Sequence, residues 1–383
     1  MVVCSFVGHN SVYDTDLTSR VQTEVDRLVR EHDAVEFLVY PAGTFSYTFL
    51  LAVLRVKTRY PQKVVISMVS YHNSANKMND QELAYSYISD KVITLNMADT
   101  KKKDPTIGQR RLVKWIIQNS THLISYLYDM IYDPDNQLGK LPGTLEIIRL
   151  TTHETEAVIL ESALLMTEKE QSVFYKLREG CTMKEAGEAV GVGRERARQL
   201  ISHGCRTIRI ELGRRYNRAI SEKRLCIRSC GFFALGEASC ESLTRFKCIM
   251  DFLTPSYLVT DTYVERSYVS SGFLFVMKNM RIPVLHPKPD AGMHITALMS
   301  KCSLPEEHDD IDAVRALFCP PCHAVGYVGR ADAEGDADDF SVIADMIERM
   351  DFCICNLSTT PYGEKIREYA AQTGRTVLLD IGK

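Results

Sequence analysis

Residues 167–212 read TEKEQSVFYKLREGCTMKEAGEAVGVGRERARQLISHGCRTIRIEL, and this stretch carries the signals of three short helices joined by tight turns. Thr182, followed three residues later by Glu185, forms a capping box that predicts the start of the second helix. The small residues Gly191-Val192-Gly193 supply the tight turn that two crossed helices need. A third helix then starts at Arg194. This order predicts a helix-turn-helix.

The ends and the inner faces of these helices follow from capping residues and periodicity. Thr167 is a suitable cap for the first helix, and Gly180 ends it. The spacing of apolar residues predicts which side chains of the second and third helices face inward: Ala186, Ala189 and Val190, then Ala197, Leu200, Ile201 and Ile208. The outward residues at the start of the third helix are therefore Arg194, Glu195, Arg198 and Gln199. A recognition helix meets the edges of DNA bases at this end.

The distribution of charge favours a nucleic-acid partner for this stretch. Residues 194–228 contain eleven Lys or Arg against three Asp or Glu, a net charge of +8, whereas the whole chain carries −3. A basic segment in an otherwise acidic chain is typical of a protein that contacts phosphates. The alternative is an amphipathic helical module that binds another protein.

These residues resemble region 4 of the sigma factor family, which reads the −35 promoter element. The matching strings are Thr167-Glu168-Lys169-Glu170, Thr182-Met183-Lys184-Glu185 and Gly191-Val192-Gly193-Arg194-Glu195-Arg196-Ala197-Arg198-Gln199. The resemblance covers about fifty residues. It implies that Arg194, Glu195 and Gln199 contact bases, and that Thr182, Arg196 and Arg198 hold phosphates or the fold. Gly193 and Gly204 depart from the family pattern, since the first replaces a Ser or Thr cap and the second lies inside the third helix.

Length and composition indicate a protein of two or three domains. The chain has 383 residues, of which 45% are hydrophobic and 25% charged, as in a soluble globular protein. No apolar run approaches the roughly 20 residues that cross a bilayer, so no membrane association is expected. The twelve cysteines are scattered, which is typical of reduced thiols in the cytoplasm. Cys319-Pro320-Pro321-Cys322-His323 lacks a matching second pair of ligands, so no metal site is predicted.

Residues 1–152 alternate apolar strands with amphipathic helices, which predicts a parallel sheet covered by helices. In such sheets ligands bind at the carboxyl ends of the strands. The first strand ends at Gly8-His9-Asn10, and the second is followed by Pro41-Ala42-Gly43-Thr44. Small residues at these ends let backbone N–H groups approach a phosphate, although a glycine there also serves as an ordinary turn.

The same strand ends resemble the SLOG superfamily, a Rossmann-like group that includes the cytokinin-activating phosphoribohydrolases. The resemblance implies that a nucleotide or a related sugar phosphate is bound by Gly8, His9, Asn10, Ala42, Gly43 and Thr44. The hydrolases carry a double-glycine signature followed by a catalytic Glu. Here Ala42 interrupts the glycines and no Glu follows at the matching spacing. We therefore expect a nucleotide-like ligand to be bound without turnover, and no catalytic residue is predicted.

The remaining chain is predicted to contain a helical segment and a second α/β unit. In residues 153–222 a helix over 154–166 runs into the helix-turn-helix, which is expected to end at Gly213. In residues 223–383 the helix-then-strand pattern of residues 115–127 recurs at 346–357 and at 249–260, which indicates a duplicated unit. The predicted fold is α/β, with two Rossmann-like parallel-sheet domains, residues 1–152 and 223–383, separated by an all-α helix-turn-helix domain.

These features favour a transcriptional regulator that binds double-stranded DNA in response to a nucleotide-like ligand. One alternative is a phosphoribohydrolase-like enzyme with an accessory helical module. Another is a module that docks on RNA polymerase, because region 4 also binds the polymerase in its own family. A free-standing helix-turn-helix commonly works as a dimer, so a homodimer is a further possibility.

Overall fold

The computed structural model describes residues 2–8, 16–72, 78–96, 105–126, 143–221, 229–234, 239–253, 261–265, 294–300, 322–328, 336–357 and 360–382. Within these ranges the chain forms two parallel sheets with helices between their strands. The prediction of an α/β protein with parallel sheets is confirmed. No helix in the described ranges is both long enough and apolar enough to span a bilayer.

The first sheet has six parallel strands in the order β4-β3-β2-β1-β5-β6. The strands are β1 (Val2–Gly8), β2 (Val35–Val39), β3 (Val64–His72), β4 (Lys91–Asn96), β5 (His122–Tyr126) and β6 (Glu146–Arg149). The helices that connect them are α1 (Leu17–Glu31), α2 (Gly43–Arg59), α3 (Asp80–Ile88) and α4 (Pro105–Gln118). The chain reverses its direction across the sheet between β1 and β5, and a ligand crevice forms at such a point in α/β proteins.

Four helices follow the first sheet. They are α5 (His153–Ala163), α6 (Glu168–Arg178), α7 (Met183–Ala189) and α8 (Arg194–Ser221). The helix predicted over residues 154–166 ends early, at Ala163, and leaves Leu164 and Leu165 exposed before α6. The predicted end at Gly213 is wrong, because α8 continues through Gly213 for 28 residues in all. At about 1.5 Å per residue, α8 is roughly 42 Å long.

The second sheet repeats the topology of the first. Its order is β10-β9-β8-β7-β11-β12, and every pairing that the structure describes is parallel. The strands are β7 (Ser229–Ala234), β8 (Asp261–Glu265), β9 (His294–Ser300), β10 (Cys322–Val328), β11 (Phe352–Asn356) and β12 (Val377–Asp380). The described helices are α9 (Cys240–Leu253), α10 (Asp336–Arg349) and α11 (Pro361–Thr373).

The duplication predicted from the sequence is confirmed in residues 346–357, where α10 leads into β11. In the repeat predicted at residues 249–260, α9 ends at Leu253. Its expected strand, residues 254–260, lies outside the described residues. The registers of the paired strands allow each residue of the first sheet to be matched with one of the second. Gly8 pairs with Tyr126 at the ends of β1 and β5, and Ala234 pairs with Asn356 at the ends of β7 and β11.

The two sheets meet at α2, which is apolar on nearly every side. Every residue from Phe45 to Leu54 is buried, and ten consecutive residues cover the whole circumference of a helix. A helix that is hydrophobic all round must be covered on all sides. One side of α2 packs on its own sheet, and another is covered by β12 and α11.

Polar contacts fix this interface. The backbone N–H of Leu378 on β12 donates to Thr58 Oγ1 at 3.1 Å. Arg59 lies against Gly374, whose φ of 59° ends α11, and pairs with Asp26 on α1 at 2.7 Å. The guanidinium of Arg245 on α9 stacks over Tyr87 on α3. Because β12 is an edge strand, its cover by α2 protects backbone groups that would otherwise pair with another chain.

Candidate functional site

The first helix of the helix-turn-helix is fixed to α8 through a buried carboxylate. Glu170 accepts a hydrogen bond from the Thr167 backbone N–H at 2.9 Å, and its other oxygen lies 2.6 Å from His203 Nδ1. Burial favours a raised pKa for Glu170, but the hydrogen bonds from Thr167 and His203 outweigh it and lower the pKa below its ordinary value. The charged carboxylate therefore ties the start of α6 to α8.

The predicted capping box at the start of α7 is present. The Glu185 backbone N–H donates to Thr182 Oγ1 at 3.3 Å, and the Thr182 backbone N–H donates to the Glu185 carboxylate at 2.7 Å. The bond from the Thr182 backbone holds the pKa of Glu185 below its ordinary value. These reciprocal bonds fix the direction in which α7 leaves the preceding turn.

Glycines set the close approach of α7 and α8. Gly191 has a φ of 73°, a left-handed conformation that makes the predicted turn. Gly187 is buried, and a Cβ there would lie 2.8 Å from the Val192 carbonyl oxygen and 3.1 Å from Ala197 Cβ. The inner face of α7 is therefore Ala186 and Gly187. The assignment of Ala189 to this face was wrong, because Ala189 is exposed.

One face of α8 is buried and the other is open. Ala197, Ile201 and Ile208 are buried as predicted, and Leu200 is half-buried. The residues predicted to contact DNA are all exposed: Thr182, Arg194, Glu195, Arg196, Arg198 and Gln199. The start of α7 and the outward residues at the start of α8 are thus all accessible to solvent.

Two pairs of these side chains hold each other in the unbound protein. The Arg198 guanidinium donates to the Glu195 carboxylate at 2.7 Å, and this bond lowers the pKa of Glu195. Arg196 donates to Gln199 Oε1 at 2.9 Å. Both pairs are exposed, and such solvent-screened contacts add little to the stability of a protein. They can therefore exchange for contacts to a ligand at little cost.

Of the two glycines that depart from the sigma-like pattern, Gly204 has a structural explanation and Gly193 has none. A Cβ at Gly204 would lie 2.8 Å from Met166 Sδ, so this glycine lets the turn before α6 pack closely on α8. At Gly193 nothing lies within 4 Å of such a Cβ among the described residues. Beyond Gly213, α8 is held by Arg215, which pairs with Glu211 at 3.2 Å and with Glu161 on α5 at 3.1 Å.

The crevice of the first sheet contains an aromatic side chain. A Cβ at Gly8 would lie 2.0 Å from Phe45 Cδ1, so Phe45 takes the space that this glycine leaves. Phe45 also stacks on Tyr126 at 5.5 Å. Gly43, with a φ of 69°, begins α2 after the half-buried Ala42, and Thr44 lies in its first turn. The other two predicted ligand residues, His9 and Asn10, lie outside the described residues.

No three His, Cys, Asp or Glu side chains converge as metal ligands within the described ranges. Searches against protein-family models and against curated proteins found no match for this chain. What the chain binds is therefore inferred from its own residues and their arrangement.

Proposed function

We propose that the chain is a sequence-specific DNA-binding transcriptional regulator. In this proposal residues 153–222 form an all-α helix-turn-helix domain between the two α/β domains, and the domain reads a −35-type promoter element. The observation that carries the proposal is the start of α8. Its first two turns present Arg194, Glu195 and Gln199 to solvent, while Ala197 and Ile201 on the opposite face are buried.

The shape of this end suits the major groove. The groove is about 12 Å wide, and a helix with its side chains measures about 10–12 Å across. Arg pairs with guanine through two hydrogen bonds, Gln pairs in the same way with adenine, and Glu accepts from cytosine. The exposed side chains of α8 supply all three kinds of contact. We assign Arg196 and Arg198, which are exposed, to the phosphates beside these bases.

The start of α7 supports the same orientation. Thr182 is exposed at the N-terminal end of α7, the end opposite to the turn into α8. Helix N-termini attract phosphates through their free N–H groups and their dipole. Lys184 is exposed in the first turn of α7 and adds a positive charge there. We assign this end of α7 to the DNA backbone, which would fix the register of α8 on the bases.

The two α/β domains supply the second half of the proposal, the response to a nucleotide-like ligand. Parallel sheets of this topology bind ligands where the strand order reverses. Such a ligand changes DNA binding only if it binds one conformation of the protein more tightly than another. The contacts of α8 with α5 and α6 are the elements through which a change of conformation would reach the reading end.

Arg194→Ala and Gln199→Ala test the DNA assignment. Each substitution is expected to cost about 1–3 kcal/mol of discrimination between the promoter sequence and an altered one. Arg214→Ala is the matched control, because Arg214 is an exposed arginine of α8 twenty positions beyond Arg194. Binding to bacterial RNA polymerase is measured on the same variants. If DNA binding persists in both while polymerase binding is lost, the polymerase-docking alternative replaces this proposal.

A further inference from the structure

The exposed side of α8 continues well beyond the reading end, residues 194–199. Glu195 is followed along the helix by four residues on the same side, because spacings of three, seven, eleven and fourteen residues keep side chains together on an α-helix. The four residues are Arg198, Ser202, Arg206 and Arg209, and all of them are exposed. We call Arg206 and Arg209 the distal arginines.

The opposite side of α8 is covered at the same level of the helix. Cys205, Ile208 and Leu212 are buried there, and α8 contacts both α5 and α6. Further along, the pair between Arg215 and Glu161 at 3.1 Å holds α8 to α5. The buried side fixes the rotation of α8 about its axis, so the distal arginines face solvent on the same side as Glu195.

The distal arginines have no carboxylate partner. Within the residues that the structure describes, neither of them forms an ion pair, and Arg209 donates only to the Cys205 carbonyl oxygen at 3.3 Å. The next two arginines of α8 differ, since Arg214 and Arg215 both pair with Glu211, at 2.8 Å and 3.2 Å. The two distal guanidinium groups therefore remain available to an anion outside the chain.

The sequence around the distal arginines leaves their charge uncompensated. From Arg198 to Arg215 the chain contains a single acid, Glu211, and that acid is buried and already paired with two other arginines. Like charges three or four positions apart on a helix also repel each other. The arrangement is slightly unfavourable for the unbound protein, and an anionic partner would relieve the repulsion.

Distance places the distal arginines beyond the groove that the reading end would enter. At about 1.5 Å per residue, Arg206 and Arg209 lie about 12 Å and 17 Å further along α8 than Arg198. The major groove of DNA is about 12 Å wide. A helix whose first turns enter the groove and cross it therefore carries the distal arginines to its edge, where the phosphates of the bordering strand lie.

We propose that the distal arginines bind the DNA phosphate backbone next to the promoter element, outside the bases that α8 reads. The inference rests on the DNA-binding function proposed above. It adds a second set of phosphate contacts to those assigned to Thr182, Arg196 and Arg198. A guanidinium group pairs with a phosphate through two parallel hydrogen bonds. Such contacts add affinity without sequence preference and fix the position of the reading end on the bases.

An acidic surface of another protein is the alternative partner for two unpaired arginines. DNA is favoured because the distal arginines continue the side of α8 that carries Glu195 and Arg198. One continuous helix thus presents the base-reading residues and the distal arginines in the same direction. A duplex long enough to extend past the element meets both.

The salt dependence of duplex binding tests the inference, measured by fluorescence anisotropy with a −35-type duplex and a scrambled one. Arg206→Gln and Arg209→Gln should each lower the slope of log affinity against log salt by about 0.9, because one phosphate contact fewer releases fewer counterions. The loss should be equal on both duplexes. Arg206→Lys keeps the charge and should keep the slope. Arg214→Gln, at an exposed arginine on the other side of α8, is the control and should change nothing.

Duplex length gives a second readout. The intact chain should bind a duplex that extends about ten base pairs, one helical turn, beyond the element on both sides more tightly than a duplex that ends at the element. The shorter duplex lacks the phosphates that the distal arginines contact. The double variant with glutamine at both positions should lose this preference for the longer duplex. Circular dichroism confirms that each variant is folded.

An unchanged salt slope in the double variant would overturn the inference, and so would a loss confined to the −35-type duplex, which indicates a base contact. If the double variant keeps its slope but no longer binds bacterial RNA polymerase, the surface serves a protein partner instead. A chain that selects a DNA motif while its slope ignores both substitutions contradicts only this inference. A chain that binds no duplex at all contradicts the DNA-binding proposal and this inference together.

Discussion

Thr58 and Leu378 are 320 positions apart in the chain, yet the backbone N–H of Leu378 donates to the hydroxyl oxygen of Thr58 at 3.1 Å. The bond joins α2 of the first sheet to the edge strand β12 of the second. Thr58 donates its own proton to the Leu54 carbonyl oxygen at 3.0 Å. The hydroxyl therefore both donates and accepts, and the edge N–H of β12 is satisfied by a side chain of the other unit.

Thr58→Val should destabilise the protein by about 1–3 kcal/mol, because it leaves the N–H of Leu378 unsatisfied in the interface. Thr23→Val is the control, since the Thr23 hydroxyl also donates to a carbonyl four residues earlier but lies on the exposed side of α1. Urea unfolding of both variants makes the comparison. Equal losses in the two would show that the bond between the units contributes nothing.

Gly187→Ala and Gly213→Ala should have opposite effects on stability. At Gly187 the new methyl group meets the Val192 carbonyl, a backbone atom that cannot move aside, so a loss of about 1–3 kcal/mol is expected. At Gly213, inside α8, nothing described lies within 4 Å, and Ala should stabilise the helix by up to about 1 kcal/mol. Thermal unfolding measures both, and Gly187→Ala should also weaken DNA binding.

In the helix-turn-helix, the features that depend on a few neighbouring residues could be predicted from the sequence. Thr182, Glu185 and Gly191 act as predicted, because caps and left-handed turns depend on a few neighbouring residues. Gly187 was missed since a count of apolar periodicity ignores a residue without a side chain. Its burial is a matter of how closely α7 approaches α8, which the spacing alone does not contain.

Elsewhere tertiary contacts overrode local signals. Gly213 was predicted to end α8, but Leu212 is buried and Glu211 is held by Arg215, so the helix continues. The close packing of Phe45 from α2 against Gly8 was likewise not contained in the strand-end pattern, and ligand binding at Gly8 stays a prediction. The mostly apolar sequence of α2 indicates burial on several sides, yet only the structure shows that β12 and α11 cover one of them.

The Glu170 carboxylate should make the helix-turn-helix sensitive to acid. The pKa of Glu170 is lowered in the folded state. The contribution of its carboxylate to the stability of the fold is therefore complete above the ordinary pKa of 4.5, and it is lost as the pH falls through the folded-state pKa. Amide exchange in α6 should accelerate on acidification in the native protein. Glu170→Gln should remove this dependence, and Glu168→Gln, at an exposed acid of the same turn, should keep it. An unchanged acid response in Glu170→Gln would contradict the assignment.

Glu195→Gln should separate affinity from specificity. The substitution removes a negative charge beside the phosphates and releases Arg198 from its ion pair, so binding to unrelated DNA should strengthen several-fold at low salt. Discrimination at one base pair should fall by about 1–3 kcal/mol, because a Glu that accepts from cytosine is lost. Fluorescence anisotropy with matched and mismatched duplexes measures both quantities. A uniform change across all sequences would show that Glu195 touches no base.

Selection of bound duplexes from a random pool, at two salt concentrations, tests the central claim most directly. The exposed start of α8 predicts enrichment of one defined motif resembling a −35 element, with affinity that falls steeply as salt rises because phosphate contacts release counterions. Arg194→Ala should select a relaxed motif. A pool that emerges with no motif, bound no more tightly than random DNA, would contradict sequence-specific recognition by this protein.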